Sequence, residues 1–415
     1  MTERGDEQMV RDDEPARFIG LDIHHRYVVA VGVDRKQQVI LHPRRVDFEH
    51  FEDWIRKELG PGDAVALEAS CNTWHVHDQL AKVAGWVVVA HAGKVRQIAE
   101  TRVKTDARDA LVLARLLVAR MLPEVWVPPD EVRELRSLVS HRQRLVAQRT
   151  MARNRLHAVL MRRNLVPPAG EIFSQGRRSW WDDLDLPATE KLLVRQDLGL
   201  LDSLHPFITE AETELVRQSQ LEPWADQVAF LIQLPGVGVL TAMVLLSAIG
   251  DIQRFASPRK LVGYSGLGAS VHQSGQVNHT GRITKQGRRE LRACMTEAAW
   301  VAVDTSEHWR DVFERLAERL GRPKAIVAIA RKLLVAVWHV LTEHVADRHA
   351  RPEQVARKFL AWSWKLRKAN RRGLTTAEFI RRELQRLHLG DDLTEVTRGK
   401  KRMRLAPVEV TAQTA

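Results

Sequence analysis

The sequence predicts an α/β domain at the N-terminal end, a long helical linker behind it, and a mainly α-helical region after that. Three observations lead there. Short runs rich in Val and Ile alternate with helix-like segments as far as residue 125. One helical pattern then continues from Glu131 to Arg163. Beyond residue 221 the apolar stretches have the length of helices rather than strands.

Phe18–Val33 (FIGLDIHHRYVVAVGV) reads as two strands joined by a tight connection. Val39–Leu41 is a third short strand, and Phe48–Leu59 is a helix that Gly60-Pro61-Gly62-Asp63 ends as a turn. Ala64–Leu67 is a strand ending in Glu68, a helix follows around Trp74–Val83, and Trp86–Ala90 is a buried strand. Lys104–Arg120 is a strong helix, because apolar residues stand at 110, 111, 113, 114, 116 and 117. Thr105 or Asp106 caps its start. Pro123, Pro128 and Pro129 close this domain.

The linker helix carries an apolar stripe that predicts a coiled-coil partner in the same chain or in another protomer. It also holds nine arginines against two glutamates. A guanidinium pairs with phosphate through its planar fork, so Arg149, Arg153 and Arg155 are candidate nucleic-acid contacts. Pro167-Pro168 ends the helix, and residues 169–220 are mixed and mostly helical. Leu234-Pro235-Gly236-Val237-Gly238, ahead of Leu240–Ile249, resembles a helix-hairpin-helix turn whose glycines let the backbone approach a phosphate. A plain inter-helix turn fits the same residues. Phe255–Leu291 is dense in Gly, Ser, Lys and Arg and reads as a glycine-rich loop, with a helix resuming at Gly287. Trp309–Leu320 and Lys324–His344 are the last core helices. The expected organisation is a disordered arm at 1–16, an α/β domain at 17–125, a helical linker at 126–220, a further domain at 221–345, and a basic extension at 346–415. That extension is expected to be helical and then disordered.

The chain has 415 residues, enough for two or three domains, and is 44% hydrophobic, which excludes a disordered polymer. A net charge of +12 predicts an anionic partner, nucleic acid before a membrane surface. No apolar run approaches the ~20 residues of a spanning helix, and the polar start is unlike a signal peptide. A cytoplasmic location is therefore expected. The two cysteines, Cys71 and Cys294, are too few for a disulfide framework or a cysteine zinc site. There is no internal repeat, Walker A pattern or dinucleotide fingerprint.

Asp22 interrupts an apolar strand, where a lone carboxylate costs several kcal/mol unless it is paired or bound to a metal. A strand-end aspartate bonded to backbone is the plain reading; a metal ligand is the sharper one. Glu68 ends another strand. Asp106 and Asp109, spaced i, i+3, share a face of the first turn of their helix, where they also complement its dipole. Four such carboxylates can surround a pair of Mg²⁺ ions about 4 Å apart, the arrangement that phosphodiester cleavage needs. This resembles the ribonuclease-H-like (RuvC-like) nuclease fold.

GLDIHHR, ALEAS, the KTDARDA helix and the run LPGVG…GYSGLG…SG…GRITKQGRRELR occur in that order over residues 17–345. Together they resemble the DEDD-type insertion-sequence transposases, the Piv-like or bridge-recombinase family. The resemblance implies a RuvC-like domain with Asp22, Glu68, Asp106 and Asp109 as catalytic, Mg²⁺-binding acids. It implies a coiled-coil linker and a C-terminal transposase domain holding a nucleophilic serine, matched by Ser274 in His272-Gln273-Ser274-Gly275. It also implies donor and target DNA, an element-encoded guide RNA, and a homo-oligomer. Ser265 and Ser270 are rivals of Ser274, while Arg282, Lys285, Arg288 and Arg289 are spaced to hold phosphates. Two other functions fit parts of the pattern: a stand-alone RuvC-like nuclease on branched DNA, needing the acids but no serine, and a non-catalytic nucleic-acid-binding protein, needing neither.

Overall fold

Five strands form one sheet near the N-terminal end: β1 (Arg17–Ile23), β2 (Tyr27–Val33), β3 (Val39–Asp47), β4 (Asp63–Glu68) and β5 (Trp86–Ala90). Their order is β3-β2-β1-β4-β5, with β1–β2 and β2–β3 antiparallel and β1–β4 and β4–β5 parallel. The helices of this part are α1 (Phe51–Glu58), α2 (Thr73–Leu80), α3 (Ala92–Ile98) and α4 (Asp106–Val118). The computed structural model describes residues 15–99, 105–274, 277–399 and 401–408. The arm expected at 1–16 lies outside these except for its last two residues, as do Lys104 and Gly275.

The chain divides into two compact units, Met1–Pro128 and Pro129–Ala415. The first is the α/β part and the second is mainly helical, as expected. In the first unit two elements depart from the sequence reading. Strand β3 runs to Asp47 rather than Leu41, because an edge strand needs no alternating apolar pattern and accommodates Pro43. Helix α3 was not expected; it is short and buries only Val95.

Both faces of the sheet are covered. Period-two alternation sends Ile19 and Leu21 of β1 into the core that holds α1 and α2 residues, including Phe51, Trp54, Val76 and Leu80. Phe18 of β1 with Ala64 and Ala66 of β4 faces Leu113, Ala114 and Leu117 of α4. Gly20 belongs to this second face. A Cβ there would stand 1.9 Å from the Ala110 carbonyl oxygen, so only glycine lets α4 lie directly on β1.

The second unit begins with α5 (Asp130–Arg162), α6 (Arg178–Asp182) and α7 (Ala188–Gln218). The stripe of α5 finds its partner in the same chain: Ala152, Leu156, Val159 and Leu160 pack with Val194, Leu198 and Leu201 of α7. Next come α8 (Ala225–Ile232), α9 (Val239–Ile249) and α10 (Pro258–Ser265). The strands β6 (Ala269–Ser274) and β7 (Val277–Ile283) follow, then α11 (Arg289–Thr305), α12 (Glu307–Leu320) and α13 (Arg322–Glu343). The stretch read as a glycine-rich loop is thus a helix followed by an antiparallel hairpin. Helix α13 is long and apolar enough to cross a membrane by length and composition, against the sequence reading; Arg331 and Lys332 had broken its apolar run. Its Ile329, Leu333, Leu334 and Val337 are fully buried in the core of this unit.

The C-terminal extension is α14 (Pro352–Lys365), α15 (Thr376–Arg386), β8 (Glu395–Arg398) and β9 (Lys401–Arg404). The disordered tail expected there is corrected as far as residue 408. Val396 and Leu405 are buried, and the Arg381 guanidinium donates to the carbonyls of Ala406 (2.7 Å), Gly390 (2.8 Å) and Leu393. Residues 409–415 lie outside the described ones.

Replacing Gly20 by Ala should lower stability by roughly 1–3 kcal/mol, the usual cost of forcing atoms into a packed core. Thermal unfolding of the two proteins measures this, and an unchanged midpoint would mean that α4 adjusts without loss.

Candidate functional site

The alternation that puts Phe18 and Gly20 under α4 puts Asp22 on the same face. In the parallel pair β1–β4 the register runs Gly20↔Ala66, Leu21↔Leu67. The next positions are Asp22 and Glu68, so these two acids end neighbouring strands on the face that α4 covers. The buried stripe of α4, Ala110, Leu113, Ala114 and Leu117, continues toward its N-terminus as Asp106 and Asp109. Thr105 caps that helix, its Oγ1 accepting from the Arg108 N–H at 3.3 Å. The carboxylate of Asp106 is thereby left for tertiary contacts.

Those contacts centre on His24, just past the end of β1. Its Nε2 lies 3.3 Å from Asp22 Oδ2 and 3.1 Å from Asp106 Oδ2. Neither approach has hydrogen-bond geometry, so this buried nitrogen has no hydrogen-bond partner among the described residues. The Tyr27 hydroxyl donates to Asp106 Oδ2 at 3.1 Å. The Tyr27 ring lies against the His24 ring (4.6 Å between centroids), with the Arg45 guanidinium 3.8 Å from its centre. Burial raises the Asp22 carboxyl above the ordinary carboxylate range; His24 opposes this, and the charges of Asp106 and Asp109 add to it.

One ligand atom from each of Asp22, His24 and Asp106 lies within 4.8 Å of the others. Two carboxylates crowded together, and a ring nitrogen turned to them without a hydrogen bond, fit a divalent cation bound between them. Sequence reasoning missed His24 and Tyr27. The signal for His24 was present: it stands at i+2 from Asp22, the same side of an extended chain. Tyr27 carried no local signal, because its partner is 79 residues away.

In the helical unit, Ser274 is exposed in β6, paired in register with Val277. Ser265 is fully buried; its Oγ donates to the Val262 carbonyl (2.7 Å) and accepts from the Leu267 N–H (3.2 Å). Ser270 Oγ donates to the Arg282 carbonyl at 3.2 Å. Arg282, Lys285 and Arg289 are exposed and make no ion pair among the described residues. Arg288 is half-buried and donates through Nε to the Tyr264 hydroxyl at 3.0 Å. Burial would push the Tyr264 phenol up, but Arg288 and Arg254 outweigh it and hold the phenol below its ordinary value.

Several arginines of α5 and of its C-cap meet acids of α7. Arg142 meets Glu212 (2.5 Å), Arg155 meets Asp197 (3.0 Å from Nε to Oδ2), and Arg163 meets Glu190 (2.9 Å). Arg153 lies 3.4 Å from Glu171 and over the Phe173 ring. Arg144 and Arg149 make no ion pair among the described residues. In the Pro235–Gly238 turn, Gly236 is held in the left-handed region (φ +77°), and a Cβ there would meet the Ala298 carbonyl oxygen at 2.0 Å. That glycine serves packing on α11, whereas Gly238 has open space beside it.

Residues 19–164 match the family model of the IS110-type DEDD transposases, and residues 228–314 match that of the transposases of the IS116/IS110/IS902 family. Between them the two cover more than half of the chain. The chain belongs to the IS110-type DEDD transposase family. The first match spans Asp22, Glu68, Asp106 and Asp109, and the second spans Ser274 and the arginines that follow it. Among similar proteins, y4qE of Sinorhizobium fredii is 29% identical over 63% of this chain and 64% of its own length. The transposase for insertion sequence element IS1111A of Coxiella burnetii is 26% identical, over 59% of this chain and 68% of its own. The pilin gene-inverting protein of Moraxella bovis is 27% identical, over 59% and 67%. The chain spans just under two thirds of the length of the first of these relatives.

Tyr27→Phe removes the hydroxyl that donates to Asp106. Affinity for Mn²⁺, measured by calorimetry, should fall about tenfold, as it does when a group orienting a metal ligand is lost. Unchanged affinity would leave Tyr27 a packing residue only.

Proposed function

We propose that this chain is a DNA recombinase of the transposase type, cutting and rejoining DNA with a divalent-metal site and a serine nucleophile. The observation that carries the reading is the cluster of Asp22, His24 and Asp106 on the face where Glu68 and Asp109 also end. In this reading the first domain is ribonuclease-H-like, the metal is Mg²⁺, and Asp22, Glu68, Asp106 and Asp109 are its acids. A bound divalent ion supplies positive charge against the negative charge that develops on a phosphate under attack.

Ser274 is the nucleophile we favour, because it is exposed and among the described residues has no partner, while Ser265 and Ser270 are engaged. Its Oγ forms a bond to a DNA phosphorus as the P–O bond to the departing strand breaks; the serine proton leaves with that strand as a hydroxyl. Rejoining is the reverse with a different strand: its hydroxyl attacks the same phosphorus and Ser274 is released with a proton. The energy of the phosphodiester is kept in the phosphoserine, so no ATP is needed. Arg282, Lys285 and Arg289 are the exposed cations beside the hairpin that neutralise flanking phosphates, with Arg288 held behind them by Tyr264. Arg149, with Arg153 and Arg155 as paired neighbours, extends the nucleic-acid surface along α5. A guide RNA and assembly as a homo-oligomer complete the proposal; the net charge of +12 supports polyanionic partners of both kinds.

On cognate DNA the wild-type protein should give a covalent protein–DNA adduct on a denaturing gel. Ser274→Ala should give none while binding DNA normally, and Asp22→Asn should give none while losing Mn²⁺ affinity. Cleavage without any adduct would favour a RuvC-like nuclease that activates water. Adduct from Ser274→Ala would move the nucleophile elsewhere.

A further inference from the structure

Three helices of the second unit begin at one cavity of about 440 Å³. Gly238 is the residue before the first turn of α9, Ser306 of α12 and Arg351 of α14, and all three line it. None of these starts is capped by a side chain. The starts of α9 and α12 present unpaired N–H groups and partial positive charge; at α14 Pro352 has no N–H and the Gln354 N–H donates to the Arg351 carbonyl at 3.0 Å, so less is left free there. Such an end is ordinarily closed by Ser, Thr, Asp or Asn; Ser306 is of that type but makes no capping bond, so three uncapped ends share one cavity.

The rest of the lining has the same sign. Arg351, Arg357 and Lys358 contribute to it, and among the described residues that line it there is no Asp or Glu. Glu307 and Glu353 stand in the first turns of α12 and α14 outside the lining, and Glu307 is taken by Arg351 at 2.9 Å. Lys358 turns its ammonium inward to the Leu234 carbonyl, behind the Pro235–Gly238 turn. Burial there pushes its pKa down to about 7, which an anion in the cavity would offset. Arg357 is exposed and makes no ion pair among the described residues. The wall also includes Trp309, 6% exposed, whose indole N–H has no acceptor among the described residues. One opposing element exists: α11 ends at the same corner. Two of its last carbonyls are taken up, Ala302 by the Ser306 N–H at 2.9 Å and Asp304 by the Arg310 guanidinium at 2.5 Å.

We propose that this cavity is a binding site for a backbone phosphate of duplex DNA, completed by the C-terminal extension through Arg351, Arg357 and Lys358. It rests on the reading of the chain as a DNA-acting protein. The donors are backbone amides and cationic side chains, which recognise phosphate and carry no base information. The contact is therefore independent of sequence. The extension, in this view, turns a plain inter-helix turn into an anion site by adding Arg351, Arg357 and Lys358 to its lining.

The test uses the full-length chain and a short labelled duplex of arbitrary sequence, titrated at several salt concentrations. Arg357→Gln removes an exposed charge, and Gln354→Glu adds a carboxylate to the lining. Both positions are exposed, so both variants should unfold at the wild-type temperature. Each should weaken duplex binding by about tenfold, equally for unrelated sequences, and Arg357→Gln should lower the slope of log K against log salt by about one unit. Wild-type affinity and slope in both variants would overturn the site, even if the wild-type chain forms its DNA adduct normally. A loss confined to single-stranded RNA, with duplex binding unchanged, would also overturn it. Conversely, weakened duplex binding in a chain that never cleaves DNA would keep the site and remove the recombinase reading.

Discussion

Helix α4 rests on strand β1 with no side chain between them at Gly20, and the acidic cluster depends on that contact. The Ala110 carbonyl occupies the space where a β-carbon would otherwise be. One helical turn toward the N-terminus, the same approach brings the Asp106 carboxylate to His24 and Tyr27. Carboxylates at strand ends are otherwise kept apart by their mutual repulsion and by the cost of burying them. Packing of Leu113, Ala114 and Leu117 against the sheet offsets that cost, and the raised Asp22 carboxyl is the trace of it.

The helical unit handles its positive charge differently. Arg142 and Arg155 of α5, and Arg163 just beyond it, pair with acids of α7, and Arg153 with Glu171 before that helix, so part of the local excess is neutralised within the unit. Among the described residues, cations without an ion pair include Arg144 and Arg149 of α5, Arg282, Lys285 and Arg289 around the β6–β7 hairpin, and Arg357 at the cavity where α9, α12 and α14 begin. Paired surface arginines add little to stability, on the order of 0–1 kcal/mol each. Their arrangement matters more for where the protein leaves positive charge free.

The hairpin also separates three serines that look equivalent in the chain. Ser265 ends a helix and is buried with both hydrogen-bonding directions used, Ser270 is tied to the opposite strand, and Ser274 stands near the hairpin end in solvent. Burial and hydrogen bonding distinguish them where composition does not.

Much of the α/β part was legible because period-two and helical spacing are local properties: the five strands, α4 and the carboxylates at 22, 68, 106 and 109 all lie in patterned segments. Strand β3 and helix α3 were less legible, since an edge strand and a short exposed helix need little apolar pattern. The sequence by itself determined the alternation of strands and helices, the long basic helix, the net charge and the ordered motifs of the family. The tertiary structure decided everything that joins distant residues: Tyr27 on Asp106, the acids of α7 opposite the arginines of α5, Gly236 spent on packing, and the order of the C-terminal extension. Three helix starts meeting at one cavity belong to the same class. A single chain records which residues can form an element; which ends of those elements meet follows only from packing between segments far apart along it.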